Sequence, residues 1–128
     1  MSVTWKYIKS KLDSSSTNFG GVYAFDTPVR QKPPYISFYL SDLDPYLTAD
    51  SSTPQDEETW TIIISDVNIR DAIINADFVR TLLDHTSGTL EGVTVQQIVF
   101  IGRNIPLVEA DAESDKVFRI IDTYQINR

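Results

Sequence analysis

The chain carries one histidine, His85, with Asp84 before it and Thr86 and Ser87 after it. Histidine, serine and a carboxylate are the parts of a nucleophilic triad, in which the ring takes the hydroxyl proton and the carboxylate orients the ring. Here the three are nearly consecutive at the end of a helical stretch, and Asp84 leaves the helix on a different side from His85. No nucleophile elbow presents Ser87. A charged imidazole at a helix C-terminus is favourable for dipole reasons alone, so His85 reads as a helix-end residue and no catalytic residue is expected.

The carboxylates are the next candidates. Asp42 and Asp44 form a D-x-D pair, and Glu109, Asp111, Glu113 and Asp115 alternate along a second segment. Calcium takes oxygen ligands of this kind, but an EF-hand loop also needs a glycine turn and a terminal bidentate glutamate. Both clusters lack them and read as solvated charge, so no metal site is expected. The spacing of a glycosidase acid pair has no cleft-forming pattern behind it. Neither glycine-rich phosphate motif occurs, which removes support for nucleotide binding. The absence of cysteine excludes disulfides, thiolate nucleophiles and Cys-ligated metal. No cofactor is expected on any of these grounds.

Charge narrows the partners. The net charge of −7 argues against a grip on nucleic acid through phosphates. From Asp42 to Asp66 there are seven acids (Asp42, Asp44, Asp50, Asp56, Glu57, Glu58, Asp66) and no base, whereas Lys6, Lys9, Lys11, Arg30 and Lys32 fall before that run. No apolar run is long enough for a membrane-spanning helix, and MSVTWKYIKSKL lacks the apolar core of a signal peptide. Tyr35, Tyr39 and Tyr46 could stack on bases or sugars, but tyrosines on a strand more often pack across it or lie in protein interfaces.

The 128 residues fit one domain, 1–128. Trp5, Ile8 and Leu12 mark one face of a short helix, with Ser2 or Thr4 as its cap. Gly20 and Gly21 lead into a strand from Val22 to Phe25. Pro33 and Pro34 then place Tyr35 at the start of a second strand whose Ile36, Phe38 and Leu40 share a face. Asp42 to about Glu58 reads as a long acidic loop. TWTIIISDV forms a third strand with Trp60, Ile62 and Ile64 on one face. A helix from Ile69 to about Asp84 follows, with Asn68 as N-cap, Ala72, Ala76, Val79 and Leu83 as the buried stripe, and Gly88 in the C-cap region. Val93–Gly102 and Lys116–Asn127 close the chain as an antiparallel pair. The order α-β-β-β-α-β-β predicts an α+β fold, a single antiparallel sheet packed with two helices.

Both alternate sets of the later strands are apolar: Val93, Val95, Val99 and Ile101 stand against Ile98 and Phe100, and Ile63 and Ile121 sit on faces that should be polar. A sheet with one helix layer should alternate cleanly. Either the two helices cover opposite faces, or the second face is a subunit interface, for which Tyr35, Tyr39, Ile63 and Ile121 are the candidates.

Taken together, WKYIKSKL, FGGVYAF, the Pro-Pro-Tyr lead of KPPYISFYLSD and the strand-to-helix run TWTIIISDVNIRDAIINADFVRTLL resemble the tail-completion proteins of long-tailed bacteriophages, also called tail terminators or tail-to-head joining proteins. The resemblance lies in element order and the proline–tyrosine lead and covers nearly the whole chain. It implies a non-enzymatic virion protein without a cofactor, assembled in the host bacterial cytoplasm into a ring, commonly a hexamer. That ring caps the tail tube, contacts the tube protein and the neck or connector protein, and lets DNA pass without specific binding. On this reading Asp42, Asp44, Asp56, Glu57 and Glu58 form a loop facing the lumen or the tube end. Other neck, tube or baseplate subunits meet the same physical needs. A small soluble ligand-binding α+β domain or enzyme is the alternative from a different class, and it requires a deep pocket with converging polar groups.

Overall fold

A computed structural model describes residues 3–13, 21–25, 34–46, 55–105 and 117–128, with side chains described except at 42–46 and 55–56. The elements are α1 (Thr4–Asp13), β1 (Val22–Ala24), β2 (Tyr35–Tyr46), β3 (Gln55–Asp66), α2 (Ile69–Leu83), β4 (Gly88–Leu90), β5 (Val93–Val95), β6 (Gln97–Asn104) and β7 (Phe118–Asn127). The expected α+β class holds. Five strands form the main sheet in the order β1-β2-β3-β7-β6, and β4 and β5 make a separate two-stranded ribbon.

Local chemistry accounts for the best-defined elements. Asn68 adopts extended angles and its side chain accepts hydrogen bonds from the backbone N–H groups of Arg70 and Asp71, which caps α2. Asp71 places a carboxylate in the first turn, where the helix dipole favours it. Strand β2 begins at Tyr35, directly after the prolines, and pairs Tyr35 with Ser65, Ile36 with Ile64 and Phe38 with Ile62. That register buries Ile36, Phe38, Trp60, Ile62 and Ile64.

Four features depart from expectation. First, β1 pairs with β2 in parallel, Val22 opposite Ile36 and Ala24 opposite Phe38, so the sheet is mixed. A tight turn cannot join parallel neighbours. Second, Val93–Gly102 is not one strand. Val93–Val95 pairs with β4, while Gln97–Asn104 pairs with β7 in the main sheet. The break at Gln96 switches the phase of burial, so Val93 and Val95 enter the core alongside Ile98 although their parity differs. Third, α2 ends at Leu83 with Asp84 as its C-cap, and Gly88 opens β4 instead of closing the helix. Fourth, the described parts of the acidic stretch, 42–46 and 55–58, are strand rather than loop, as described below.

Both helices lie on one side of the sheet. Tyr7, Ile8 and Leu12 of α1 and Ala72, Ala76, Val79 and Leu83 of α2 share one buried cluster with Ile36, Phe38, Trp60, Ile62, Ile64, Ile120, Tyr124 and Ile126. The reading in which the helices cover opposite faces is therefore corrected: helical periodicity shows which stripe of a helix is apolar, not which side of the sheet it meets. No described helix is long and apolar enough to cross a membrane.

Candidate assembly surface

The face turned away from the helices carries the residues that broke the alternation. In the register of β2, β3 and β7, Tyr35 is opposite Ser65, Ser37 opposite Ile63, Tyr39 opposite Thr61, and Ile63 opposite Ile121. Strand alternation puts Tyr35, Tyr39, Ile63 and Ile121 together on this second face. Tyr39 is 41% exposed, and Ile101, the extra residue at a bulge in β6, is 56% exposed. Tyr35, Ile63 and Ile121 are half-buried. Tyr23 of β1 meets Tyr35 edge-on at 6.5 Å between ring centroids. Among the described residues, the helices and the β4–β5 ribbon contribute their apolar groups to the other side.

The acidic run extends the sheet. Pairing of β2 with β3 continues past the core: Asp42 lies opposite Thr59, Leu43 opposite Glu58, Asp44 opposite Glu57, Pro45 opposite Asp56, and Tyr46 opposite Gln55. The residues between Tyr46 and Gln55 lie outside the described part; the described parts of the acidic segment expected as a loop, 42–46 and 55–58, pair as an antiparallel arm. The physical reason is non-local. Acids and Pro45 lower local strand propensity, but β3 supplies a continuous partner, and a bulge at Ser41 absorbs the change of register. The Ser41 hydroxyl donates to the Thr59 carbonyl at 2.8 Å. A bulge and a proline on an outer strand also discourage unintended strand addition.

Glu58 departs from the predicted set. It shares the buried phase of Trp60, Ile62 and Ile64, is fully buried, and accepts a hydrogen bond from the Thr4 hydroxyl. It faces the start of α1 and not solvent, so its assignment to a lumen- or tube-facing surface is withdrawn. Glu57 is half-buried on the other phase. The alternating acids Glu109, Asp111, Glu113 and Asp115 lie outside the described residues. Among the described residues no three metal-ligating side chains converge.

A polar cluster that the sequence did not reveal joins α2 to the sheet. Arg103 of β6 donates through Nε to Asp122 Oδ1 at 2.8 Å, through Nη2 to Asp122 Oδ2 at 3.1 Å, and through Nη1 to Asp77 Oδ1 at 2.8 Å. Asp122 is fully buried on β7. Its burial pushes the carboxyl upward, and the Arg103 fork offsets part of that push. Its hydrogen bonds to Asp122 and Asp77 hold Arg103 charged beyond its ordinary range. The available signal was the phase of β7: Asp122 alternates with Ile120, Tyr124 and Ile126, a position where a carboxylate needs a cation. Beside it, the Arg80 guanidinium lies 4.1 Å from the centroid of the Phe100 ring.

The triad-like residues do not assemble. Asp84 accepts from the Phe100 backbone N–H at 3.0 Å and from Arg80 Nε at 3.4 Å, and lies 3.6 Å from the His85 ring. Burial would raise the Asp84 carboxyl, but the Phe100 N–H, Arg80 and His85 together hold it below its ordinary value. His85 has a positive φ of 60° and an exposed side chain, and its backbone N–H bonds to the Ile98 carbonyl. Ser87 is exposed. His85 is thus a turn residue that leads α2 into β4.

No protein-family profile matches the chain, and no curated protein matches it in sequence. Solved structures do share its fold. A chain in the "virion of native gene transfer agent (GTA) particle" aligns with a TM-score of 0.60 over 94% of this chain and 82% of its own length, at 15% identity.

Proposed function

We propose that this protein is a structural subunit of a phage-like virion, and within it a tail-completion subunit that closes into a ring, a hexamer by its family resemblance, on the end of the tail tube. The observation that carries the first part is the fold shared along 94% of the chain with a component of a gene transfer agent virion. The second part rests on the resemblance of element order and proline–tyrosine lead to tail terminators. The protein acts by assembly and needs no cofactor. Its partners are further copies of itself, the tube protein and the neck or connector protein, and DNA passes through the ring.

Two physical features support this reading. A half-apolar sheet face with Tyr39 exposed and Ile63 paired with Ile121 suits contact with a neighbouring copy. Repetition of one such heterologous contact closes a ring when the rotation allows it. The acidic arm suits a lumen or tube-end position, because Asp42, Asp44, Asp56 and Glu57 would repel phosphate and keep DNA from sticking. A neck, tube or baseplate subunit has the same needs, and the binding partner decides between them.

Negative-stain imaging of the purified protein, alone and mixed with tail tubes, tests the reading. Rings of tube diameter, or density at tube ends, are expected. A protein that stays monomeric and leaves tube ends bare would sink it. Ile63→Lys should abolish ring formation while leaving the far-UV spectrum intact.

A further inference from the structure

The root of the acidic arm and the start of α1 meet at one buried carboxylate. Pairing of β3 with β7 ends at Glu57 opposite Asn127 and Glu58 opposite Ile126. Beyond that point Gln55 and Asp56 are paired to β2 alone among the described strands. Glu58 therefore sits where the two-stranded arm leaves the body of the sheet. Thr4, the first residue of α1, is also fully buried; its hydroxyl donates to Glu58 Oε1 and lies 3.3 Å from Oε2. The first turn of α1 contains no acid of its own. The carboxylate that complements the positive end of its dipole comes from β3, more than fifty residues along the chain.

We infer that the Thr4–Glu58 contact is a latch that couples α1 to the arm, so that the two loosen and tighten as one unit and α1 sets the direction in which the arm projects. A fully buried carboxylate is costly to leave without its hydrogen bonds. Rotation of the arm about its root would pull Glu58 away from Thr4, and release of the first turn of α1 would remove the Thr4 hydroxyl from the carboxylate. Each movement thus penalises the other. The remainder of α1 is held by Tyr7, Ile8 and Leu12 in the core, so the latch governs the first turn and not the whole helix. The inference does not depend on the ring reading.

Hydrogen exchange on the wild-type protein at low urea tests it first. The Lys6 amide, which bonds to the Val3 carbonyl at the start of α1, and the amides of 42–44, 46 and 55–57 should open together and change in parallel as urea rises. Independent urea dependence of the two regions overturns the latch. Thr4→Val keeps the shape of the side chain and removes the donor. It should speed exchange about tenfold in both regions, the effect of losing one buried hydrogen bond. The central amides of β3 and β7 should be unchanged, and Thr4→Ser should behave as wild type. Faster exchange in α1 alone, or uniformly across the sheet, overturns the proposal. The wild-type measurement decides the question even if Thr4→Val fails to fold.

Discussion

Replacing Arg103 by leucine would leave Asp122 in the core without its cation. Asp122 is 0% exposed and Arg103 only 20%, so the pair is largely out of water, and the fork makes two bonds to one carboxylate. Removing one partner of a buried pair costs about 3–5 kcal/mol. The residual exposure of Arg103 and the readiness of Asp122 to take a proton put this site near the lower end, about 3 kcal/mol at neutral pH. The second arm of the clamp adds little: Asp77 is 63% exposed, and Asp77→Asn should cost below about 1 kcal/mol. With a urea slope of about 1–3 kcal/mol per molar, Arg103→Leu should lower the unfolding midpoint by 1 M or more. Arg103→Leu combined with Asp122→Leu should recover most of the loss, because the uncompensated charge is gone. The sign of the pH effect is fixed as well. An unpaired Asp122 has its folded-state affinity for protons raised further, so the variant's deficit is full near neutrality and shrinks as pH falls and the carboxyl protonates. Urea titrations of Arg103→Leu, Asp122→Leu, the double variant and Asp77→Asn at neutral and acid pH measure all of this. An Arg103→Leu variant that loses less than about 1 kcal/mol, or a double variant as unstable as Arg103→Leu and Asp122→Leu summed, would refute the argument that the cost lies in stranded charge.

Two further outcomes follow from the same part of the molecule. Asn68→Ala removes the acceptor for the Arg70 and Asp71 amides and should lower stability by about 1 kcal/mol in denaturant titration, with Asn68→Ser close to wild type. Asp84→Asn should cost about 1 kcal/mol near neutrality. Because the folded-state carboxyl is held below its ordinary value of 3.8, its contribution is present above that pH and is lost as pH falls through the lowered value. The stability curves of wild type and Asp84→Asn should therefore converge in acid.

What the sequence revealed followed the range of the interactions involved. The α2 stripe, its Asn68 cap, the Tyr35 start of β2 and the buried phase of Trp60, Ile62 and Ile64 are local patterns, and the structure keeps all of them. The parallel pairing of β1 could not be read, since three residues carry no information about the direction of their partner. The switch at Gln96 was hidden because Val93, Val95, Ile98 and Phe100 are apolar on both parities, and periodicity cannot locate a break inside such a run. At 42–46 and 55–58 local composition points to a loop because the acids and proline weigh locally, while the pairing that makes these residues strand comes from the opposite strand. Of the candidate surface, Tyr35, Tyr39, Ile63 and Ile121 do share a face, as their alternation required. Glu58 failed for the same reason they succeeded: its phase matches Trp60, and phase outranks charge.

The position of β7 sets the order in which this chain can fold during synthesis. The last described strand lies between β3 and β6, so neither can gain that neighbour until Asn127 has left the ribosome. Until then Ile62, Ile64 and Ile98 lack the Ile120 and Ile126 side of their core, and the nascent chain holds a hairpin and a helix with no completed sheet beneath them. A ribosome stalled before residue 118 should therefore display a protease-sensitive chain, and one stalled with a linker after Asn127 a resistant one. A sheet closed by its last described strand delays the completed core until synthesis has passed that strand.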